Sequence, residues 1–189
     1  MLDKFGYTSP STIASLLIEH LPQTLSRILD IGCGTGLTST LLHKEGYSDL
    51  DVIDLSPDML KVATNRNIYQ SLFTGDLKLP LEIESNIYDA VASPCTYTHG
   101  YVDAKPLAEI VRVLKPGGIL AITVHRDLWQ SHDFEAKLKS LVSSNAIECL
   151  VLKEGAYYKE VDWKAGFVFI KKTTRSDLIL QEMSTPIIN

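Results

Sequence analysis

The sequence predicts an α/β fold in which a mostly parallel sheet is covered by helices on both faces. Short apolar runs rich in β-branched residues alternate with segments of helical spacing. The run at residues 119–124 is apolar throughout, which is typical of a central strand buried on both faces. With 189 residues, 45% of them hydrophobic, the chain has the size and balance of one globular domain that folds without disulfides or metal.

The first half of the chain repeats a strand–helix order. A helix is predicted over residues 8–21, where Pro10 stands between two serines ahead of apolar residues at helical spacing. A strand at 27–31 then runs into a glycine-rich turn, and a helix follows at 37–44. Two elements of this kind, joined by a short turn, predict the first β–α unit of a parallel sheet.

The next unit begins with a strand at residues 50–53. After it, Ser56-Pro57-Asp58 combines an N-cap, a proline and an acid in the first turn, which predicts the start of a helix. Weaker and stronger strand patterns follow at 68–73 and 88–93, and a helix is predicted at 106–114. This helix should end in a turn at 115–118, immediately before the apolar strand.

The pattern changes in the last third. A helix is predicted at 133–142, but no helical pattern separates the strand patterns at 147–151 and 167–171. Two consecutive strands without a crossover should pair as an antiparallel hairpin, here with a long connection at 153–164. We expect one domain with three parts: 1–25, 26–125 and 126–189, the last ending in a tail.

Charge and cysteine content exclude several classes of protein. The net charge is −5, and the one basic cluster, Lys171, Lys172 and Arg175, is expected to be a solvated strand end and no nucleic-acid groove. Cys33 and the two other cysteines, Cys95 and Cys149, are odd in number and lack metal-ligand spacing, so neither a disulfide framework nor a metal site is predicted. Without a signal peptide or an apolar run of membrane length, we expect a soluble cytoplasmic protein.

The most informative stretch is Leu29-Asp30-Ile31-Gly32-Cys33-Gly34-Thr35-Gly36, a strand that ends in three alternating glycines and opens a helix. Glycines let a ligand approach the backbone, and the following helix offers free amides and the positive end of its dipole. A nicotinamide fingerprint would space its glycines as G-x-G-x-x-G, so this spacing argues against a pyrophosphate ligand. The alternative is a glycine-rich turn that binds nothing.

A second acid is placed to complete such a site. Asp54 follows Gly36 by eighteen residues and ends the second strand, where a carboxylate can accept both hydroxyls of a ribose bound across the first turn. The alternative for Asp54 is a surface acid that caps the next turn beside Ser56.

With these residues in view, the sequence resembles the class I S-adenosylmethionine-dependent methyltransferases. Five ordered matches between residues 27 and 124 carry the resemblance: the glycine motif, Asp54-Leu55-Ser56-Pro57-Asp58-Met59-Leu60, Gly75-Asp76, Tyr88-Asp89-Ala90-Val91, and Arg112-Val113-Leu114-Lys115-Pro116-Gly117-Gly118. Thr98-His99-Gly100-Tyr101-Val102 ahead of the last match is similar to the Williams-Beuren syndrome chromosome region 27-like methyltransferases. The resemblance implies a Rossmann-like, doubly wound sheet of seven strands, mostly parallel with a C-terminal antiparallel hairpin.

The resemblance also implies a cofactor and its site. The methionine part of S-adenosylmethionine would lie near Asp30, the ribose on Asp54 and the adenine beside Leu55 and Met59, although Met59 could equally be a core residue. Asp76 would close the edge of the adenine, unless Gly75-Asp76 is only a turn. The whole implied cofactor-binding set is Tyr7, Asp30, Gly32, Cys33, Gly34, Gly36, Asp54, Leu55, Met59, Asp76, Leu77 and Ser93.

Catalysis could rest on alignment alone, because methyl transfer from a sulfonium is an in-line displacement. His99 is the candidate general base, since histidine titrates near neutrality and the loop at 93–101 follows the fourth strand. It could instead shape the pocket, as could Tyr97. His125 and Arg126 end the fifth strand, where ordinary solvent contacts are the favoured interpretation, and Cys95 is more consistent with a packed thiol than with a nucleophile.

In this sequence Asp30 of the first predicted strand is only thirty residues from the start. Related enzymes carry a longer segment ahead of that strand. We therefore expect a short lid whose remnants, Phe5, Gly6 and Tyr7, lie near the cofactor. Two functions remain open: methyl transfer to a small-molecule acceptor with S-adenosylhomocysteine as product, or a module that binds the cofactor, transfers weakly or not at all, and acts with a partner. No membrane or nucleic-acid partner is expected.

Overall fold

A single seven-stranded sheet organises the molecule. The computed structural model describes residues 8–22, 25–97, 104–130, 133–156 and 164–174. Its strands are β1 Ile28–Ile31, β2 Leu50–Asp54, β3 Ser71–Thr74, β4 Tyr88–Tyr97, β5 Leu114–His125, β6 Ile147–Ala156 and β7 Lys164–Lys172. Its helices are α1 Ser9–His20, α2 Leu37–Lys44, α3 Pro57–Thr64, α4 Pro106–Val113, α5 Arg126–Gln130 and α6 Asp133–Ser143.

The strand order is β3-β2-β1-β4-β5-β7-β6. Strands β3, β2, β1, β4 and β5 run parallel, whereas β7 is antiparallel to both β5 and β6. The predicted mostly parallel sheet with a C-terminal antiparallel hairpin is thus confirmed. After β3 the chain crosses back to add β4 on the other side of β1, so the β1–β4 boundary is a topological switch point where such sheets bind ligands.

Helices cover both faces, as the apolar pattern of β5 predicts. Leu120 and Ile122 pack in the core cluster that contains α4 and α6, whereas Ile119 and Ala121 pack in the cluster that contains α1 and α2. A third, smaller cluster holds α3 against β2. Because successive side chains of a strand point to opposite faces, an uninterrupted apolar run is buried on both.

The structure confirms the predicted bounds of one helix and the predicted start of another. Helix α2 has the predicted bounds, and α3 begins after Ser56, whose hydroxyl accepts the N–H of Met59 at 3.4 Å as an N-cap does. The short helix α5 is absent from the sequence-based prediction. It directly follows β5 and has only five residues, too few for a periodic pattern.

The predicted turn at 115–118 and the predicted hairpin connection need correction. Residues 115–118 lie inside β5 as a bulge, since the β4 partners change from Tyr88↔Leu114 to Ala90↔Ile119, and Gly117 has a φ of +82°. Strand β6 extends to Ala156 and β7 begins at Lys164, so strand pairing takes up part of the segment predicted as loop.

The basic cluster is not the solvated strand end that the sequence predicts. Lys172 is 1% exposed, and its Nζ donates to Asn86 Oδ1 at 2.8 Å and to the carbonyl of Leu114 at 2.9 Å. The neighbouring Lys171 is exposed, because alternate residues of β7 face opposite sides of the sheet, and Arg175 lies outside the described residues. Lys172 therefore caps carbonyl groups near the end of α4 instead of facing solvent.

In the part of the chain that the structure describes, every helix is too short or too polar to cross a membrane. Within the same residues, no three His, Cys, Asp or Glu side chains are grouped closely enough to hold a metal ion.

Candidate cofactor-binding site

A glycine loop at residues 32–36 joins β1 to α2 at the switch point. Gly32, Gly34 and Gly36 have φ values of +64°, +52° and +77°, a conformation that side-chain-bearing residues rarely adopt. The N–H of Gly32 donates to the carbonyl of Ile53 at 2.8 Å, and that of Gly36 donates to the carbonyl of Cys33 at 2.8 Å. The alternating glycines thus produce a loop that curls over the carboxyl end of β1 and is attached to β2.

The surroundings of the three glycines differ. A Cβ atom built at Gly32 would collide with Thr96 Oγ1, and one built at Gly36 would collide with the hydroxyl of Tyr69. A Cβ atom at Gly34 would have no heavy atom within 4 Å. Gly34 therefore borders open space, and this is where the loop backbone is accessible to a ligand.

The carbonyl of Ile31, just before the loop, is held by two hydroxyls from β4. Ser93 Oγ donates to it at 3.1 Å and Thr96 Oγ1 donates at 2.9 Å. Ser93 is fully buried, so its side chain joins β1 to β4. A role of Ser93 in cofactor binding stays a prediction.

Asp54 connects the glycine loop to the turn before α3. Its Oδ2 accepts the N–H of Gly34 at 2.7 Å, and its Oδ1 accepts the N–H of Ser56 at 2.8 Å. The second bond is the turn-capping contact of the alternative interpretation, while the first one ties the carboxylate to the glycine loop. Each carboxylate oxygen can accept more than one hydrogen bond, so both retain capacity for ribose hydroxyls.

Asp30 is a buried carboxyl group with one unused oxygen. Its side chain is in a residue only 1% exposed, Ser39 Oγ donates to Oδ2 at 2.6 Å, and Oδ1 has no hydrogen-bond partner. Burial raises the pKa of Asp30 to about 7, the hydrogen bonds from Ser39 oppose this, and the negative charge of Asp54 adds to the rise. A buried acceptor left unsatisfied is costly, so Oδ1 is suited to a cationic donor from a ligand.

The residues expected around an adenine fall into two groups. Leu55 and Met59 are 63% and 43% exposed beside Asp54, which excludes the alternative that Met59 is a core residue. Exposed apolar side chains next to a carboxylate suit a flat aromatic ring above a diol. Leu77 instead packs in the core. Asp76 Oδ1 accepts the N–H of Lys78 at 2.9 Å in a turn, and its contact with the adenine stays a prediction.

Cys33 is a poor candidate for a nucleophile. Burial raises the pKa of the Cys33 thiol, with the charges of Asp30 and Asp54 adding to the effect, and its Sγ lies 3.6 Å from the carbonyl oxygen of Gly34. A thiol whose thiolate is disfavoured is unreactive. The side chain of Cys95 lies outside the described part of the structure, as do the whole residues Tyr7 and His99.

Two other candidates have clear surroundings. Tyr97 is fully buried, and its ring meets that of Phe134 edge-on with centroids 5.5 Å apart, so Tyr97 belongs to the core. His125 Nδ1 accepts the N–H of Asp127 at 3.3 Å, and the Asp127 carboxylate lies 3.6 Å away. These contacts at the end of β5 agree with the strand-end interpretation of His125.

Sequence reasoning missed four residues that hold the loop: Ser39, Arg66, Tyr69 and Thr96. Arg66 Nε donates to the carbonyl of Thr35, and the contacts of the other three are given above. Ser39 could have been found, because it stands in the first turn of the helix that follows the glycines. Arg66 and Tyr69 are distant in sequence from the motif and have no pattern that marks them.

The donor and acceptor set fits S-adenosylmethionine. The ligand presents an ammonium group, a ribose diol and an adenine, and the described residues offer an unsatisfied buried carboxyl oxygen at Asp30, a second carboxylate at Asp54 and the exposed Leu55 and Met59. Gly34 leaves the space that a ligand needs to approach the backbone.

Sequences similar to this chain are those of methyltransferases. Residues 29–122 match the profile of a family described as the methyltransferase domain. Methyltransferase-like protein 27 of Homo sapiens is 31% identical over 166 residues, which cover 85% of this chain and 66% of that protein. Malonyl-[acyl-carrier protein] O-methyltransferase of Salmonella typhimurium is 28% identical over 142 residues, 71% of this chain and 56% of that protein. The chain thus spans about two thirds or less of the length of these relatives.

Solved structures share the fold. A TehB-like SAM-dependent methyltransferase from Corynebacterium glutamicum superposes with a TM-score of 0.69 at 23% identity, covering 85% of this chain and 87% of that one. A chain of the complex between the Haloferax volcanii Trm112 methyltransferase activator and its methyltransferase gives a TM-score of 0.68 at 18% identity, with 91% of both chains covered.

Proposed function

The chain belongs to the S-adenosylmethionine-dependent methyltransferase family, and we propose that it transfers the methyl group of this cofactor to a small-molecule acceptor. S-adenosylmethionine is the cofactor that the family and the fold imply. The observation that carries the proposal is the arrangement of Asp30, Asp54 and Gly34 at the glycine loop. There, an unsatisfied carboxyl oxygen and a second carboxylate flank a glycine backbone that borders open space.

In the proposed arrangement, Asp30 Oδ1 accepts the cofactor ammonium and Asp54 accepts the ribose hydroxyls. Leu55 and Met59 cover one side of the adenine, and Gly34 lets the methionine part approach the loop backbone. The resemblance implies seven further contact residues, which stay predictions: Tyr7, Gly32, Cys33, Gly36, Asp76, Leu77 and Ser93.

The bound cofactor supplies a methyl group made electrophilic by its positively charged sulfur. The protein contributes chiefly alignment, because holding donor and acceptor in line converts a bimolecular reaction into an effectively unimolecular one. The tied loop and Asp54 would hold the donor. A base is needed only where the acceptor must lose its proton, and His99 remains the predicted residue for that role.

Oxygen acceptors are the first to test. Two relatives, at 28% and 31% identity, are malonyl-[acyl-carrier protein] O-methyltransferase and ubiquinone biosynthesis O-methyltransferase. This supports an oxygen nucleophile on a small organic molecule or on a carrier-bound acyl group. The proposed domain parts, 1–25, 26–125 and 126–189, and a cytoplasmic location stay predictions.

Two measurements test the proposal. Calorimetry should show binding of S-adenosylmethionine and S-adenosylhomocysteine to the full chain, and a panel of oxygen, nitrogen and sulfur acceptors should yield S-adenosylhomocysteine. Binding without any turnover would count against catalysis by the chain alone. The absence of binding at millimolar cofactor would refute the whole proposal.

A second candidate is a cofactor-binding module that needs a partner for activity. The fold shared with a methyltransferase solved in complex with the activator Trm112 favours this alternative. Under it, the purified chain binds S-adenosylhomocysteine but gives no turnover until a small protein activator is added. Full turnover by the purified chain would exclude this alternative.

A further inference from the structure

Two side chains from the connection between α3 and β3 contact the glycine loop. Arg66 Nε donates to the carbonyl of Thr35, and both the Arg66 side chain and the Tyr69 hydroxyl lie directly against Gly36. Gly34 borders open space, whereas the Thr35–Gly36 part of the loop is thus held by protein. The loop is supported by a segment that is some thirty residues away in sequence.

The hydroxyl of Tyr69 has unused hydrogen-bonding capacity in a buried position. The Tyr69 ring packs against two core clusters, and its hydroxyl oxygen is buried next to Ser39 without completing a hydrogen bond of standard geometry. Burial raises the pKa of Tyr69, and the nearby Asp30 carboxylate raises it further, so the hydroxyl keeps its proton. A buried donor without an acceptor is costly, which favours a partner close at hand.

Ser39 lies between this hydroxyl and the carboxyl group of Asp30. Ser39 Oγ donates to Asp30 Oδ2 at 2.6 Å, while Asp30 Oδ1 is unsatisfied. A hydroxyl that donates one hydrogen bond can accept another, so Ser39 can receive the proton of Tyr69 while it donates to Asp30. Hydrogen bonds linked in series polarise one another, so each is stronger than it would be alone.

We propose that Tyr69 and Ser39 are positioning residues that act in series on Asp30, with Tyr69 donating to Ser39 and Ser39 donating to Asp30 Oδ2, so that Oδ1 is held for the ammonium of the cofactor. This proposal rests on the proposed function, because it assigns Asp30 Oδ1 to that ammonium. It assigns a role to two residues that lie outside the glycine motif.

The proposal has a pH signature. Hydrogen bonds to a carboxylate lower its pKa, and those from Ser39 oppose the burial that raises the pKa of Asp30. In the proposed series, the Tyr69 hydroxyl strengthens this effect by polarising the Ser39 hydroxyl. Without the Tyr69 hydroxyl, Asp30 stays protonated up to a higher pH, and protonated Asp30 does not attract an ammonium. The pH below which cofactor binding weakens therefore moves upward. Asp54, Cys33 and Arg66, the other titratable or charged groups of this cluster, are unchanged in these variants.

The test compares S-adenosylhomocysteine binding by four full-length variants across about pH 5.5 to 8.5. Tyr69→Phe and Ser39→Ala remove the two hydroxyls, and Ser39→Thr restores one. Tyr47→Phe is the matched control, because Tyr47 is a fully buried tyrosine whose hydroxyl donates to the Leu21 carbonyl at 3.4 Å, away from this cluster. Differences between variants cancel the titration of the ligand itself.

Tyr69→Phe should raise the binding midpoint by about half a pH unit and weaken binding about threefold below it, and Ser39→Ala should do more. Ser39→Thr should return the midpoint to that of the wild type, and Tyr47→Phe should leave it unchanged. If the wild type binds and the Tyr69→Phe and Ser39→Ala midpoints equal the wild-type value, the positioning role is refuted while the proposed function stands. If the wild type binds no S-adenosylhomocysteine at any pH, the proposed function itself fails.

Discussion

The backbone N–H of Gly34 donates a hydrogen bond of 2.7 Å to Asp54 Oδ2, which ties the loop after β1 to the carboxyl end of β2. The other oxygen of the same carboxylate accepts the N–H of Ser56 at 2.8 Å, at the start of α3. One side chain thus sets the spacing between the glycine loop and the next β–α turn. A loop held in this way has less conformational freedom to lose when a ligand binds, which reduces the entropic cost of binding.

Removing the Asp54 carboxylate should weaken cofactor binding strongly. Asp54→Ala loses both the loop attachment and the proposed ribose acceptor, and hydrogen bonds to charged groups contribute about 2 kcal/mol, so the Kd for S-adenosylhomocysteine should rise by about thirtyfold. Calorimetry measures this change. Asp58→Ala is the control, because Asp58 is an exposed acid of α3 that pairs with the exposed Lys61. Equal effects of the two substitutions would contradict the role of Asp54.

Alanine at Gly34 should affect binding more than stability, and alanine at Gly36 should do the reverse. Both sites have positive φ, which costs an alanine about 1 kcal/mol. At Gly34 the new methyl group enters the open space beside the loop, whereas at Gly36 it meets the Tyr69 hydroxyl. Urea unfolding and S-adenosylhomocysteine titration of both variants measure the contrast. Similar losses of stability in the two variants would argue against the open space at Gly34.

Asp30 should make the stability of the protein depend on pH in an unusual direction for an acid. Its pKa rises from the ordinary value near 4 to about 7 in the folded state, because burial disfavours the carboxylate. The folded state then holds the proton more tightly than the unfolded state does, so the stability contributed by Asp30 is greatest below about pH 4 and falls as the pH rises to about 7.

Asp30→Asn removes this titration and keeps an acceptor for Ser39. We expect the free energy of unfolding of the variant to exceed that of the wild type by a few kcal/mol at about pH 8, with the difference shrinking toward about pH 5. Urea unfolding at several pH values measures it for both proteins. A difference that is constant with pH would show that Asp30 titrates normally.

The buried acid Asp51 should contribute to stability without affecting the cofactor site. It is fully buried, and its Oδ2 accepts hydrogen bonds from Arg27 Nη2 at 2.9 Å and from the Tyr88 hydroxyl at 3.0 Å. Arg27→Met leaves this carboxylate without its cation and should cost about 2–3 kcal/mol, with S-adenosylhomocysteine binding unchanged.

Lys115→Met is the control for that prediction. Lys115 pairs with Asp89 at 2.8 Å, but both side chains are partly exposed, so its loss should cost less than about 1 kcal/mol. Urea unfolding separates the two variants. A larger effect of the Lys115 substitution would contradict the importance of burial for the Arg27–Asp51 pair.

Most of the architecture could be predicted because it depends on local patterns. The bounds of α2, the N-cap at Ser56 and the two-sided burial of β5 each follow from a few consecutive residues whose spacing and capping chemistry have only one favourable arrangement. The antiparallel hairpin follows from two strand patterns with no helix between them. Residues 115–118 predict a turn but form a bulge within β5, because glycine and proline favour both.

The sequence by itself determined the element order, the glycine loop and the placement of Asp30 and Asp54 at neighbouring strand ends, since parallel strands bring their carboxyl ends to one edge. Only the tertiary structure decided that Asp54 bonds Gly34, that Lys172 is buried, and that Arg66 and Tyr69 support the loop. Local spacing specifies which face of an element is buried, but not which distant side chain meets it there. That choice depends on how the whole chain packs.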